Sequence, residues 1–550
     1  MKAAELFVQC LEAEGVTVVF GIPGEETADL NMAMHHSSIE FVLTRHEQGA
    51  AFMADVYGRL TGEAGVCLST LGPGATNLVT GVANANLDRS PVVVITGQAD
   101  QHRQHKESHQ AINVVSMFRP ITKWASAVVN PDNIPEVVRK AFKLAGLPKP
   151  GACHIELAED VAREEAHGSP IPRQDFLYPA PDCKAVEDAA ELICSARRPV
   201  ILVGNGVVRS GAVPALRRLA TESGIGVIST FMAKGCVPRN APQCLFTIGL
   251  QAKDLVACAI DAADVVVTIG YDLVEYPPRL WNSRNNSRIV HIDTYPAEVD
   301  DHYTVAVEVV GHIPHALTML THCLIRKGEA PLFDVRQQQE VRRQMLEDFA
   351  EHRNDRTEGL LRPQKILWDV REAMGERDIL ISDVGAHKMW IARYYHCDEP
   401  NTCLIPNGFC AMGFALPGAI AAKMVHPERR VLAVCGDGGF LMNVQEMETA
   451  RRLNANIVVM VWVDNEYGLI GWKQRNEFGE QIDLKFGNPD WVELARAFGW
   501  QGLVVERSGD LAEVLKRAFA HDGPSLVAVP VDYRENLLLS QRLGNMVCPT

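Results

Sequence analysis

The sequence predicts an α/β protein of three doubly wound parallel-sheet units, and three observations predict it. At 550 residues the chain exceeds what one hydrophobic core serves. Short β-branched runs recur with helical stretches between them, the pattern of βαβ units. Those runs fall into three groups, divided by two stretches of different composition.

The elements follow in order. The opening "MKAAELFVQCLEAEG" predicts a helix, and Glu5, Glu12 and Glu14 interrupt any signal-peptide core. The strands "VTVVFG", "FVLTR", "GVCLST", "PVVVITG" and "ACHIELA" define a unit over 1–165. The Pro-rich stretch 166–185, "AHGSPIPRQDFLYPAPDCKA", reads as a linker. "PVILVGNG", "IGVIST", "DVVVTIG", "RIVHID" and "VAVEVV" define a central unit over 186–335. A charged helical stretch over 335–360 reads as the second separator. "DILISDVG", "TCLIPN", "VLAVCGDGG", "IVVMVWVDN" and "SLVAVPV" define the third unit, 360–535.

Composition narrows the function. With 53 Lys+Arg against 68 Asp+Glu, the net charge of −15 gives no electrostatic case for nucleic acid. No run approaches ~18 apolar residues, so no membrane span is expected and the chain reads as cytoplasmic. The 14 cysteines are scattered without a CxxC pair, Cys67, Cys153 and Cys435 within apolar runs, and read as reduced core thiols.

Ligands of open parallel sheets sit at the carboxyl ends of strands, where turns and helix starts present N–H groups. "AVCGDGGF" lies at such an end. Gly436, Gly438 and Gly439 let backbone approach a ligand, and Asp437 offers a hard oxygen suited to Mg²⁺. An ordinary strand-to-helix turn with Asp as N-cap would also explain it. A second acid, Asp464, ends the next strand 27 positions on, and adjacent parallel strands would bring both acids to one rim. In the first unit, "LTRHEQGAAFMADVYGRLTG" sets Glu47 just past a strand, ahead of a small-residue helix start. There it could be only a favourable charge at the helix dipole. His102, His105 and His109 could mimic a metal face, but "DQHRQHKESHQ" reads more simply as a solvated loop.

The Gly-Asp-Gly motif and the acid that follows it resemble the signature of thiamine-diphosphate enzymes. The resemblance implies Mg²⁺ ligands at Asp437, Asp464 and the backbone oxygen of Glu466, with Asn465 a rival for the second position. It implies that Glu47 hydrogen-bonds the cofactor's aminopyrimidine N1′ and so activates thiazolium C2, a task that suits a buried acid. "GIPGEET" and "STLGPGATN" resemble cofactor-facing loops of the first unit, and "VGAH", Val384, Gly385, Ala386 and His387, the contacts of the third. In "NGFCAMGFALPGAI" the resemblance places the Cys410 carbonyl against the 4′-amino group and Met412 under the bent cofactor, while Leu469 also faces it.

Within the family, "SHQAINVVSMFRPITKWA", "IGYDLVEYPPRLWNS" and "VAVPVDYRENLLL" are most similar to acetolactate synthases of the FAD-independent catabolic branch. This implies a 2-oxo acid substrate, with Gln110 and Lys123 near its channel. It also implies a homodimer or homotetramer with active sites at subunit interfaces. Relatives carry Trp or Gln nine positions after the second metal ligand, where this chain has Lys473. That lysine could be solvated or face the substrate, or a register slip could place Trp472 in the pocket. The central "VGNGVVRSG" lacks G-x-G-x-x-G, since Arg209 stands where the third Gly belongs. Relatives that hold FAD carry an Arg soon after the third strand of this unit; here none precedes Arg279, so no FAD is expected. Other 2-oxo acid decarboxylases, aldehyde carboligases or a non-catalytic paralogue are the alternatives.

Overall fold

The computed structural model of the chain describes residues 1–249, 255–325 and 332–536. The first sheet comprises β1 (Val18–Gly21), β2 (Glu40–Leu43), β3 (Gly65–Ser69), β4 (Val92–Gln98), β5 (Trp124–Val128) and β6 (Ala152–Ala158). Its order is β2-β1-β3-β4-β6-β5, parallel throughout. The second holds β7 (Pro199–Val203), β8 (Val227–Ser229), β9 (Cys244–Thr247), β10 (Val265–Ile269), β11 (Arg288–Asp293) and β12 (Val305–Val310). These run parallel in the order β12-β11-β10-β7-β8-β9. The third has β13 (Ile379–Ser382), β14 (Cys403–Leu404), β15 (Val431–Gly436), β16 (Val458–Val463), β17 (Gln501–Val504) and β18 (Ser525–Pro530). Its order, β14-β13-β15-β16-β18-β17, repeats that of the first sheet strand for strand. The sequence carried no visible trace of this repeat.

Each sheet is doubly wound because alternate residues of its strands enter cores on opposite faces. Val92 and Val94 of β4 face one core, Val93 and Ile95 another. Val431, Ala433 and Cys435 of β15 face the same core as Val92, while Leu432 and Val434 face away. One core therefore joins the first and third units, and the middle unit has its own. The shared core is built on α1 (Glu47–Thr61) and α2 (Pro73–Leu87) of the first unit.

Sequence reading found five strands in each unit; the sixth is an edge strand each time, β5, β9 and β17. β5 and β17 are half covered and need no continuous apolar run, which Gln501 and Gly502 of β17 break outright, whereas β9 is buried throughout. A second correction concerns 335–360. This is no free separator: α3 (Arg336–Glu351) places Val341 and Met345 in the middle unit's core and Phe349 in that of the third. Gln338 fastens it by accepting from Gly226 N–H at 3.0 Å and donating to the Pro199 carbonyl at 2.8 Å. Its charged face had hidden a narrow apolar stripe. Twelve described cysteines, Cys67, Cys153 and Cys435 among them, are free thiols.

Three more helices of the third unit frame the site: α4 (Ala386–Tyr394), α5 (Ala415–Val425) and α6 (Glu446–Arg452). α7 (Gly468–Phe478) follows Asp464. No described helix is long and apolar enough to cross a membrane.

Candidate active site

β15 and β16 are neighbours in register, Gly436 opposite Trp462, so the acids that follow them reach the same rim. Asp437 is buried, and one of its oxygens accepts from Asp464 N–H at 3.2 Å, Asn465 N–H at 2.7 Å and the Asn488 amide at 2.8 Å. The other accepts from Gly438 N–H at 2.9 Å. Burial first, and then the charge of Asp437 and the contact with it, push the Asp464 carboxyl well above the usual carboxylate range. Two carboxylates held this way would share a cation favourably. Asn465 instead spends its side-chain oxygen on Asn488 at 2.9 Å, and its own φ of 59° turns the chain there. The Glu466 carbonyl is held in the following turn by Gly468 N–H at 2.9 Å. Leu469 is half-buried against the third core.

Beside this pair lies the turn after β13. The buried carboxylate of Asp383 accepts from Val384 N–H at 2.7 Å and from Gly413 N–H at 2.9 Å. It thus ties the turn Val384–Gly385–Ala386 to the loop that carries Cys410 and Met412. Burial raises its pKa to about 6 despite those donors. His387 starts α4, and burial lowers its pKa to about 3, so the ring is neutral. Its Nε2 is buried without a partner, and Gly385 and Gly436 leave bare backbone against its ring. Cys410 adopts a left-handed φ of 59°, and Met412 is half-buried. Gly439 lies against Asp383, where a Cβ would come within 3.2 Å of a carboxylate oxygen.

The first unit supplies a separate cluster. Glu47 is the first residue of α1, which is capped by the His46 ring accepting from Gln48 N–H at 3.1 Å. The Glu47 carboxylate is buried and accepts from the Asn77 amide of α2 at 2.9 Å. Asn77 belongs to the loop-helix "STLGPGATN", and Gln110 packs its backbone onto Gly72 at the start of the same helix. Gln110 itself is exposed. The structure does not bring Lys123 to this rim. It precedes β5, at the opposite end of the sheet, where it donates to the Leu147 carbonyl at 3.2 Å. Lys473 is exposed on α7, and its neighbour Trp472 is buried in the third core. Among the described residues no cluster of three or more His, Cys, Asp or Glu could hold a metal, the 102–109 histidines included.

Phe52 and Arg59 of α1 both pack on Phe414 beside the 410–412 loop, the two rings 5.4 Å apart between centroids and the guanidinium 5.2 Å from the ring. Sequence reading missed Asp383, Asn488 and the bond from Asn77. Asp383 carried the same signal as Asp437, an acid where an apolar run stops; Asn488, alone in "KFGNPD", carried none.

Comparison with known proteins settles the family. Residues 1–117, 186–320 and 383–529 match the N-terminal, central and C-terminal domain models of thiamine pyrophosphate enzymes. The chain is 37% identical over 547 residues to the acetolactate synthase of Bacillus subtilis, covering 98% of this chain and 95% of that one. This chain belongs to the acetolactate synthase family of thiamine pyrophosphate enzymes. The catabolic acetolactate synthase of Raoultella terrigena is 37% identical over 552 residues, 98% of this chain and 97% of its own. A probable acetolactate synthase large subunit from Methanocaldococcus jannaschii is 36% identical over 575 residues, 100% and 95%. The residues present fit what a thiamine pyrophosphate enzyme must hold. A facing carboxylate pair suits a divalent ion that takes its other ligands from phosphate, and the orphaned His387 Nε2 suits a polar group of the cofactor.

Proposed function

We propose that this thiamine pyrophosphate enzyme decarboxylates pyruvate and joins the resulting two-carbon unit to a second pyruvate, giving 2-acetolactate and CO₂. The observation that carries the reading is the Asp437–Asp464 pair at the ends of neighbouring strands. Full-length relatives named acetolactate synthase narrow the chemistry to this reaction. Thiamine diphosphate, when bound, supplies a carbanion equivalent at its thiazolium C2. Asp437, Asp464 and the Glu466 carbonyl would hold Mg²⁺ beside the bound cofactor. His387, the 384–386 turn and the Gly436–Gly439 turn position it, while Cys410, Met412 and Leu469 orient its rings. Glu47 holds or releases a proton at its carboxylate, fixed in place by Asn77. Product analysis tests the reading: pyruvate should yield one CO₂ per two consumed, and acetoin after acid treatment. Acetaldehyde as the main product would instead mark a 2-oxo acid decarboxylase.

From the resemblance to thiamine-diphosphate enzymes we infer a site assembled between chains, with an active unit that is at least a homodimer. Lys473, exposed on α7, then stands where a substrate carboxylate could meet it. Its ammonium would add a charge-assisted contact of about 1.5–3 kcal/mol. Lys473→Gln is expected to raise the KM for pyruvate as acceptor roughly tenfold or more, leaving addition to acetaldehyde nearly unchanged. An unaltered ratio of the two products in competition would remove Lys473 from acceptor choice.

We infer no flavin from the absence of an arginine between the strand "DVVVTIG" and Arg279 in the middle unit. In its sheet β8 and β9 lie to one side of β7, and β10 to β12 to the other, so a nucleotide would enter between the ends of β7 and β10. Asn205, Gly206, Arg209, Met232, Asp293 and Thr294 there border a cavity of about 470 Å³, and Glu275 is buried behind the first turn. The wholly buried Glu275 carboxylate accepts from Asn205 N–H at 3.0 and 3.1 Å and from the Thr230 hydroxyl at 2.5 Å. Purified protein is expected to be colourless; a yellow preparation that releases flavin on denaturation would contradict this.

A further inference from the structure

The start of α1 is held by the third unit. The fully buried Glu446 carboxylate, at the start of α6, accepts from His46 N–H at 3.0 Å and from Arg45 N–H at 3.2 and 3.3 Å. These are the two residues before Glu47. The Thr449 hydroxyl, one turn along α6, donates to Glu446 at 2.6 Å and fixes its orientation. At the other end of α6, the Arg452 guanidinium donates to the carbonyl of Leu43, the last residue of β2. One short helix thus grips the β2–α1 connection at both ends.

The local chemistry makes this grip specific. N–H groups entering a helix have no partner within it, and an anion at a helix start is favoured by the dipole. Gly49 admits the carboxylate: a Cβ there would come within 2.7 Å of its oxygen and push it from its place. Burial raises the Glu446 carboxyl above its usual range, countered by Thr449, Arg45 and His46. A hydrophobic residue in its place would leave the Arg45 and His46 N–H groups without this acceptor.

We propose that Glu446 is a positioning residue for Glu47, setting where its carboxylate stands by fixing the backbone of Arg45 and His46. The proposal rests on the reading above, in which Glu47 activates the cofactor. Proton exchange tolerates little displacement of the group that serves it, so loosening this connection should slow activation without loosening cofactor binding.

The test uses the full-length enzyme with thiamine diphosphate and Mg²⁺, reading cofactor affinity, H/D exchange at thiamine C2 and thermal unfolding. Glu446→Gln keeps the shape but puts an amide N–H against backbone N–H groups. It is expected to slow C2 exchange about tenfold to a hundredfold, with cofactor affinity within about threefold of wild type. Adding it to Glu47→Gln should slow exchange no further, because Glu446 acts only through Glu47. Thr449→Val, which preserves volume and removes the orienting donor, should give a smaller loss of the same kind and carries the test if Glu446→Gln does not fold. Wild-type exchange in the single variants, or losses that add in the double variant, would overturn the positioning role. Wild-type exchange in Glu47→Gln itself would instead overturn the reading of Glu47 and the proposal with it.

Discussion

Glu47→Gln is expected to leave thiamine diphosphate bound while slowing proton exchange at its C2 by about a hundredfold or more. The side chain is buried at the start of α1 and fixed by one hydrogen bond from Asn77, so an amide of the same shape fits the space. What it loses is the capacity to take and return a proton. Binding and activation should therefore separate, with affinity nearly constant while turnover collapses. NMR on the acid-quenched cofactor reads the exchange directly. Wild-type exchange in the variant would show that Glu47 is only a favourable charge at a helix start.

Asp437→Asn is expected to weaken retention of Mg²⁺ and thiamine diphosphate by about a hundredfold, since a charge-assisted ligand is worth about 1.5–3 kcal/mol. Asp437 also organises the turn around Asp464, receiving N–H groups from residues 464 and 465 and the Asn488 amide. An amide cannot accept all of them equally. Asp464→Ala should weaken retention comparably, and Asn465→Ala less, because the Asn465 side chain is engaged by Asn488 rather than by the acid pair. Thermal unfolding with and without Mg²⁺ and cofactor reads this, since ligand stabilisation falls as Kd rises. A larger loss in Asn465→Ala than in Asp464→Ala would move the second ligand to Asn465.

Much of the site was legible because its residues break a local rule. An acid where a buried strand ends is costly unless it has work there, and Asp437, Asp464 and Glu47 all stand out in that way. Glu446 breaks no such rule: on a short helix its sequence context is ordinary, and its partners are 400 and 401 residues away. Glu275 was equally silent, since only the fold brings it to the Asn205 turn. The three sheets were visible through strands buried on both faces. The edges β5 and β17 were not, because half-covered strands such as "QGLV" lose the apolar run that marks the rest.

The central claim is that the activating half on the first unit and the metal-holding half on the third meet across chains. Co-expressing Glu47→Gln and Asp437→Asn chains, each inactive alone, measures it directly. A hybrid dimer then has one site with both lesions and one with neither. Random pairing is expected to restore about a quarter of wild-type acetolactate formation. No activity in the verified hybrid would place both halves in one chain and contradict the account.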